Sequence, residues 1–313
     1  MFGRVVEIAE DGRHLSLHRG FMVVSADKAE IGRVPLDDIG VVVANAHGLT
    51  YTNNLLIELA GRGVSVVLCG PHHRPVAWLW PMEGHHTQAL RMRAQLSAPA
   101  PLGKRLWQVL VRAKIQQQGA ALAALGRPSG GFQLLARQVR SGDPDNIEAQ
   151  AARRYWPLML GESFRRDSDG RDGANAMLNY GYAILRAATA RATVAAGLHP
   201  SIGIHHRNQY NALCLVDDLM EPFRPLVDGA VARLVAAGAE RVDRETKKQL
   251  AGVVALDMRT NEGTTPVATC LMRLAVSLAQ AFESGEAHLD LPIAPLPLEL
   301  PALPAKTKPA AAG

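Results

Sequence analysis

Along the first eighty or so residues, short apolar runs follow one another at intervals too brief for helices. "GRVVEIA", "HLSLH", "FMVVSA" and "IGRVPLDDIGVVVAN" are rich in Val, Ile and Leu, and "EDG", "RG" and "ADKAE" break them. Apolar runs of this kind bounded by Gly and Asp turn signals predict consecutive antiparallel strands. One helix interrupts the series: "TYTNNLLIELAGRG" starts at a threonine cap, sets Leu55, Leu56 and Leu59 on one face and ends on glycine. "VSVVLCG" and "PVAWLWP" predict further strands. From about Thr87 the composition turns to Ala, Leu, Arg and Gln and the apolar period becomes helical. Helices are expected over 87–98, 102–125, 132–142, 146–164, 173–197, 208–220, 226–239, 245–256 and 267–284. The pattern predicts an α+β fold, with an N-terminal β-domain over residues 1–84 and a larger all-helical C-terminal domain over 85–290. Residues 291–313 are rich in Pro and Ala, offer no apolar periodicity to bury, and are predicted to be disordered.

A chain of 313 residues with 48% hydrophobic content can build a sizeable core. Its opening residues lack an apolar leader region, and no apolar run is long enough to cross a bilayer, so a soluble cytoplasmic protein is expected. Cys69, Cys214 and Cys270 are odd in number and far apart, which predicts reduced core residues rather than a disulfide framework or a zinc site. The net charge of +5 is mild, but the basic residues crowd between Lys104 and Arg166, where few acids accompany them. A polyanionic partner fits that crowding, and solvated helix faces fit it equally well.

Candidate chemistry gathers in "SIGIHHRNQYNALCLVDDLMEPFRP", residues 201–225. His205 and His206 precede a helix expected from about Asn208. On that helix Glu221 shares a face with Asp218, three residues before it, or with Asp217, four before it. Pro222 and Pro225 should end or kink it. Two carboxylates beside a neutral imidazole form a ligand set suited to Mg²⁺ or Mn²⁺. Solvent-facing aspartates and a hydrogen-bonded core histidine would satisfy the same spacing. A third acid, Glu148, falls in the first turn of a helix expected to be capped by Asp145 or Asn146, where it could equally serve the helix dipole. Arg153, Arg154, Arg165, Arg166 and Arg207 lie close in sequence to these acids and histidines and are candidates for phosphate contacts. Tyr155, Trp156 and Tyr180 could stack on bases, but their helical spacing fits a core better. Lys247 and Lys248 read as a solvated face, and His72, His73, His85 and His86 as surface and linker positions. There is no Gly-rich phosphate loop and no evident Ser-His-Asp or Cys-His set.

The runs "NIEAQAARRYWPLMLGESFRRD" and "GANAMLNYGYAILRAATARATVAAGLHPSIGIHHRNQYNALCLVDDLMEPFRPLVD" resemble the CRISPR-associated spacer-acquisition integrases, the Cas1 family, most of all its type II branch. The likeness is specific over roughly residues 140 to 230 and looser in "VPLDDIGVVVAN" and "GVSVVLCGPHHRPVAWL", which are similar to the family's β-domain. By position in the motifs, Glu148 matches the family's glutamate ligand, His206 the histidine closing its Gly-x-x-His segment, and Glu221 the acid of its Asp-Leu-Met-Glu segment. Many members carry aspartate at the last position, so Glu221 is a permitted departure, with Asp218 expected to support it. The resemblance implies a metal site of Glu148, His206 and Glu221 for Mg²⁺ or Mn²⁺. It implies a reaction in which the 3′ hydroxyl of a DNA fragment attacks a phosphodiester at the edge of a CRISPR repeat. It also implies a homodimer that works with DNA and the second core adaptation protein, with the type II effector nuclease as an optional further partner. His205 has no ligand role in the family pattern, and neighbouring side chains diverge, so His206 is expected to face the metal. A non-catalytic DNA-binding scaffold of the same fold is the alternative, and the three matched residues argue against it.

Overall fold

The computed structural model describes residues 3–70 and 75–295. His72 and His73, and residues 296–313 of the tail, lie outside the described residues. The chain begins with β1 (Arg4–Ile8), β2 (His14–His18), β3 (Phe21–Ala26), β4 (Ala29–Pro35), β5 (Ile39–Ala44) and β6 (Thr50–Tyr51). Then come α1 (Asn53–Gly61), β7 (Ser65–Cys69) and β8 (Pro75–Leu79). Two four-stranded sheets result, in the orders β4-β3-β2-β6 and β1-β5-β7-β8. The first holds the expected antiparallel pairs of β2, β3 and β4.

The second sheet departs from the expectation, since β1, β5 and β7 run parallel and only β8 is antiparallel to its neighbour. The clue lies in composition. β5, "IGVVVA", is buried at every position, as a strand covered on both faces must be, whereas a one-sided antiparallel strand alternates. Helix α1 lies between β5 and β7 in sequence, giving the crossover that parallel pairing needs. The pleat then divides the strands between two cores. Val42 and Val66 pack with Leu15, Met22, Leu55 and Leu59 inside the β-domain. Val41, Val43 and Val67 face the opposite way, onto Ile184, Ala187 and Val254 of the helical part.

That helical part comprises α2 (Gln88–Ser97), α3 (Ala100–Ala124), α4 (Gly130–Gln138), α5 (Ile147–Leu160), α6 (Gly173–Ala195) and α7 (Cys214–Met220). α8 (Arg224–Ala236), α9 (Arg244–Ala251) and α10 (Val267–Ser284) complete it. Its core includes Leu106, Leu110, Tyr155, Leu185, Phe223 and Leu274. The helix expected from about Asn208 starts only at Cys214. Asn208 and Asn211 side chains accept the backbone N–H groups of Tyr210 and Leu213, each at 3.0 Å, and hold the preceding residues in turns. Among the described residues no helix is long and apolar enough to cross a membrane. Cys69, Cys214 and Cys270 are free thiols.

Lys247 is not part of a solvated face. Its ammonium donates at 3.0 Å to Glu7 of β1, which also accepts from Asn45 Nδ2 and the Tyr180 hydroxyl, each at 2.6 Å. Tyr180 thus ties the two parts of the chain together. "DMRTNEGTTP" forms a hairpin of β9 (Asp257–Thr260) and β10 (Gly263–Pro266), to which β11 (Ala294–Pro295) adds an edge. The expected disorder therefore does not begin at 291: Ile293 N donates to Arg259 O at 2.8 Å, and Gln117 Nε2 to Pro292 O at 3.3 Å. A chain ending at Leu291 should be less stable than one ending at Pro295 by roughly 1–3 kcal/mol, the net worth of a few hydrogen bonds. Urea denaturation of the two would show it, and coincident curves would mean that β11 contributes nothing.

Candidate active site

Helix α3 is the floor of the site. Trp107 and Lys114 lie two helical turns apart on one of its faces, and the Lys114 ammonium stands 2.5 Å from both Glu148 Oε1 and Glu221 Oε2. Glu148 opens α5, but neither expected cap holds that helix. Asn146 adopts a left-handed φ of 51° with no side-chain cap, and Asp145 pairs with Arg140 at 2.7 Å. Asp143 does the work instead, accepting from Ile147 N at 2.9 Å and Glu148 N at 3.0 Å. With the helix end already satisfied, the Glu148 side chain is free to reach α3.

Glu221 follows α7 in a short 3₁₀ turn, Glu221–Phe223, that leads directly into α8. Pro222 and Pro225 produce the expected kink there. The residue is 6% exposed, with Arg224 Nε 2.9 Å from its Oε1. Burial pushes its carboxyl up, but the charges of Arg224 and Lys114 outweigh burial and hold it at about 2. Its Oε2 is buried without a hydrogen-bond donor properly aimed at it; Lys114 touches it as a charge only.

His206 is held by Asp218, a fully buried carboxylate. Asp218 Oδ2 accepts from Ile204 N at 2.7 Å and His205 N at 2.9 Å, and its Oδ1 lies 2.5 Å from His206 Nδ1. The chain can come this close only because position 203 is glycine, where a Cβ would lie 2.3 Å from His206 O. The bond to Asp218 raises the His206 pKa against its burial, and the charges of Glu221 and Glu148 add to the rise. With Nδ1 engaged, Nε2 is the nitrogen left for a ligand. His205 lies flat on the buried Trp107 ring at 4.2 Å, and His206 meets the same ring edge-on at 5.7 Å. The phase question is also resolved: Asp218 shares the site with Glu221, while Asp217 turns away into a paired contact with Arg186, both bonds at 2.7 Å.

The family described as CRISPR associated protein Cas1 matches residues 6–261 of the chain. The chain belongs to the Cas1 family. It is 37% identical over 233 residues to a protein from Neisseria meningitidis serogroup C (strain 8013) named CRISPR-associated endonuclease Cas1, covering 74% of this chain and 76% of that one. A casposase bound to integration product shares the fold with a TM-score of 0.76 over 92% of each chain, at 18% identity. A structure described as a Cas6-RT-Cas1–Cas2 complex gives 0.72 at 18% identity, over 92% of this chain and 36% of that one.

In this Cas1 chain a cleft of 370 Å³ opens at Glu221, which lines it together with Lys114, Trp156, Arg166, Tyr182 and Arg224. Arg166 is fixed by the Oδ1 atoms of Asn175 and Asn179, at 3.2 and 2.6 Å. Arg166 and Arg224 both stack over the Tyr182 ring, at 5.4 and 4.7 Å. Arg165 is exposed but folds back onto the carbonyls of Glu162 and Phe164, whereas Arg153, Arg154 and Arg207 are exposed. Tyr155 is core, as expected, and Trp156 is half-buried at the cleft wall. His85 stacks on His86 at 4.2 Å in the linker between β8 and α2. Lys114 and Arg224 were not singled out in the sequence. The available signal was a lysine on the inward stripe of α3 with Trp107, Leu110 and Val111, where an unpaired charge would be costly.

In the wall of the cleft, Asp228 accepts from the Tyr155 hydroxyl at 2.9 Å and from the Tyr182 hydroxyl. Burial pushes its carboxyl up to about 6 against the pull of those two hydroxyls. A folded-state pKa above the unfolded one gives stability that is present below about pH 4 and lost as pH rises through about 6. The loss is on the order of 3 kcal/mol. Asp228→Asn should remove that slope, so its stability should improve relative to the parent between pH 4 and pH 6. Urea denaturation across that range would contradict this if the two stability curves ran parallel.

Proposed function

We propose that this protein is a metal-dependent DNA integrase and endonuclease of CRISPR adaptation, with Glu148, His206 and Glu221 as the ligands of Mg²⁺ or Mn²⁺. The observation that carries the proposal is the convergence of Glu148 and Glu221, remote in sequence, on the Lys114 ammonium, near enough to His206 for the charges of both to act on its imidazole, whose Nδ1 is already taken by Asp218. Among the described residues no three His, Cys, Asp or Glu side chains form a ready-made metal cluster. The donor set nevertheless fits a hard divalent ion, because Glu221 Oε2 is a buried carboxylate oxygen with no aimed donor. When bound, the ion supplies Lewis acidity at the scissile phosphate and eases deprotonation of the attacking hydroxyl.

The chain's own groups account for the rest. Asp218 keeps His206 in one orientation and one tautomer. Arg166 and Arg224, each held by neighbours, present fixed positive charge to phosphate oxygens in the cleft. In the reaction, a bond forms between the fragment's 3′ oxygen and the phosphorus at the repeat edge, and the bond from that phosphorus to the 3′ oxygen of the flanking nucleotide breaks. The attacking hydroxyl loses its proton and the leaving oxygen gains one. Strand transfer therefore needs no covalent enzyme intermediate. Water in place of the hydroxyl gives nicking.

The partners that fit are DNA, a second copy of the chain and the second core adaptation protein. The casposase and Cas1–Cas2 likenesses support the first and last of these. A DNA-binding scaffold would nick nothing. Metal-dependent nicking of a branched duplex by the parent, lost in Glu148→Ala with DNA binding retained, is the expected result; equal nicking by both proteins would remove Glu148 from the site.

A further inference from the structure

Lys114 stands in the candidate site, and the proposed chemistry gives it no role. Its side chain is 14% exposed and its ammonium touches both carboxylates that the proposed function assigns to the metal. A divalent ion needs the same oxygens. An ammonium and a dication cannot share so small a space without strong repulsion, so the two must exclude each other. The lysine has somewhere to go: it lines the 370 Å³ cleft together with Arg166 and Arg224, and its four-carbon stem is flexible enough to swing its charge. An incoming phosphodiester would give the ammonium an anion to replace the two carboxylates it leaves.

We propose that Lys114 is a built-in counter-ion that closes the metal site until DNA arrives. In the DNA-free protein it neutralises Glu148 and Glu221 and holds them in register. When a phosphate enters the cleft, Lys114 transfers to it, and the freed carboxylates take the metal. Metal and DNA affinities are then coupled, each raising the other by the same factor. Arg224 does not share this role, because it stays on the opposite oxygen of Glu221 and over Tyr182. The inference rests on the metal-ligand assignment of the preceding section, and the test separates the two.

The test is Mn²⁺ binding followed by electron paramagnetic resonance, with and without a branched DNA lacking the attacking 3′ hydroxyl, for the parent, Lys114→Met and Lys114→Gln. The parent should bind Mn²⁺ weakly alone and at least about 10-fold more tightly with DNA, within the usual range of coupling between sites. Both variants should bind Mn²⁺ at least about 10-fold more tightly than the parent without DNA, and gain less than about 3-fold from it. Using two variants guards against one that misfolds, and added Mn²⁺ should raise their melting temperatures more than the parent's. Mn²⁺ affinity in both variants equal to or below the parent's, or undiminished coupling to DNA, would overturn the counter-ion role. A Glu148→Gln change that leaves Mn²⁺ binding untouched in the Lys114→Met background would instead overturn the ligand assignment.

Discussion

Glu148→Ala and Glu221→Gln should each lower strand transfer by about 10³-fold or more, equivalent to roughly 4 kcal/mol of transition-state stabilisation, while DNA binding changes little. On the proposed assignment catalysis rests on the carboxylates and binding on the basic surface, which both variants keep. The two positions need different substitutions for a physical reason. Glu148 is partly exposed and shares its cation with Glu221, so its truncation leaves Lys114 a partner. Glu221 is buried between Lys114 and Arg224, and truncating it would leave the half-buried Arg224 guanidinium without its carboxylate and Lys114 with Glu148 alone, at a cost in stability. Glutamine preserves the volume and an acceptor oxygen. Electrophoretic joining assays in Mg²⁺ and in Mn²⁺, paired with DNA-binding titrations at fixed salt, check the outcome. Parent-like joining by either variant would remove that residue from the metal site.

The second large effect is an asymmetry between neighbours. His206→Ala should abolish strand transfer, by about 10²–10³-fold or more, the scale of losing a group that acts on the reacting centre. His205→Ala should cost only a few fold. His206 presents Nε2 because Asp218 holds Nδ1 at 2.5 Å, and water in its place would not hold the same geometry. His205 instead lies flat against the Trp107 ring. Losing it removes one ring from a stack, worth about 0.5–1.5 kcal/mol beyond its buried area. Joining rates for the two variants at saturating Mn²⁺ decide the matter. A dead His205→Ala beside an active His206→Ala would show that the motif had been aligned one residue out of register.

Helical phase and turn chemistry made much of this legible in the sequence. The change of period near Thr87 separated strand-rich from helix-rich chain, and short motifs singled out Glu148, His206 and Glu221, of which the fold brings Glu148 and Glu221 to one lysine. What periodicity could not supply was partnership. It left Asp217 and Asp218 equivalent, because residues three and four before Glu221 are equally good neighbours on a helix. Only the packing of α6, which brings Arg186 to Asp217, separates them. The start of α7 was misplaced because Asn208 and Asn211 spend their side chains on backbone N–H groups. The parallel pairing of β1, β5 and β7 was hidden because strand direction is set by how the chain crosses over, not by the strand's own residues. The ion pairs of Lys114 and Lys247 were hidden for one common reason. A lysine in a helix reads as solvated until its acidic partner, more than thirty residues away in one case and more than two hundred in the other, is brought to it.

Anomalous diffraction from crystals of the protein with a branched DNA and Mn²⁺ puts the metal site to the most direct test. A manganese peak within about 2.0–2.3 Å of carboxylate oxygens of Glu148 and Glu221 and of His206 Nε2 is the expected result, with Asp218 still on Nδ1. Manganese bound elsewhere, or strand transfer proceeding in the crystal with no ion at these three side chains, would contradict it.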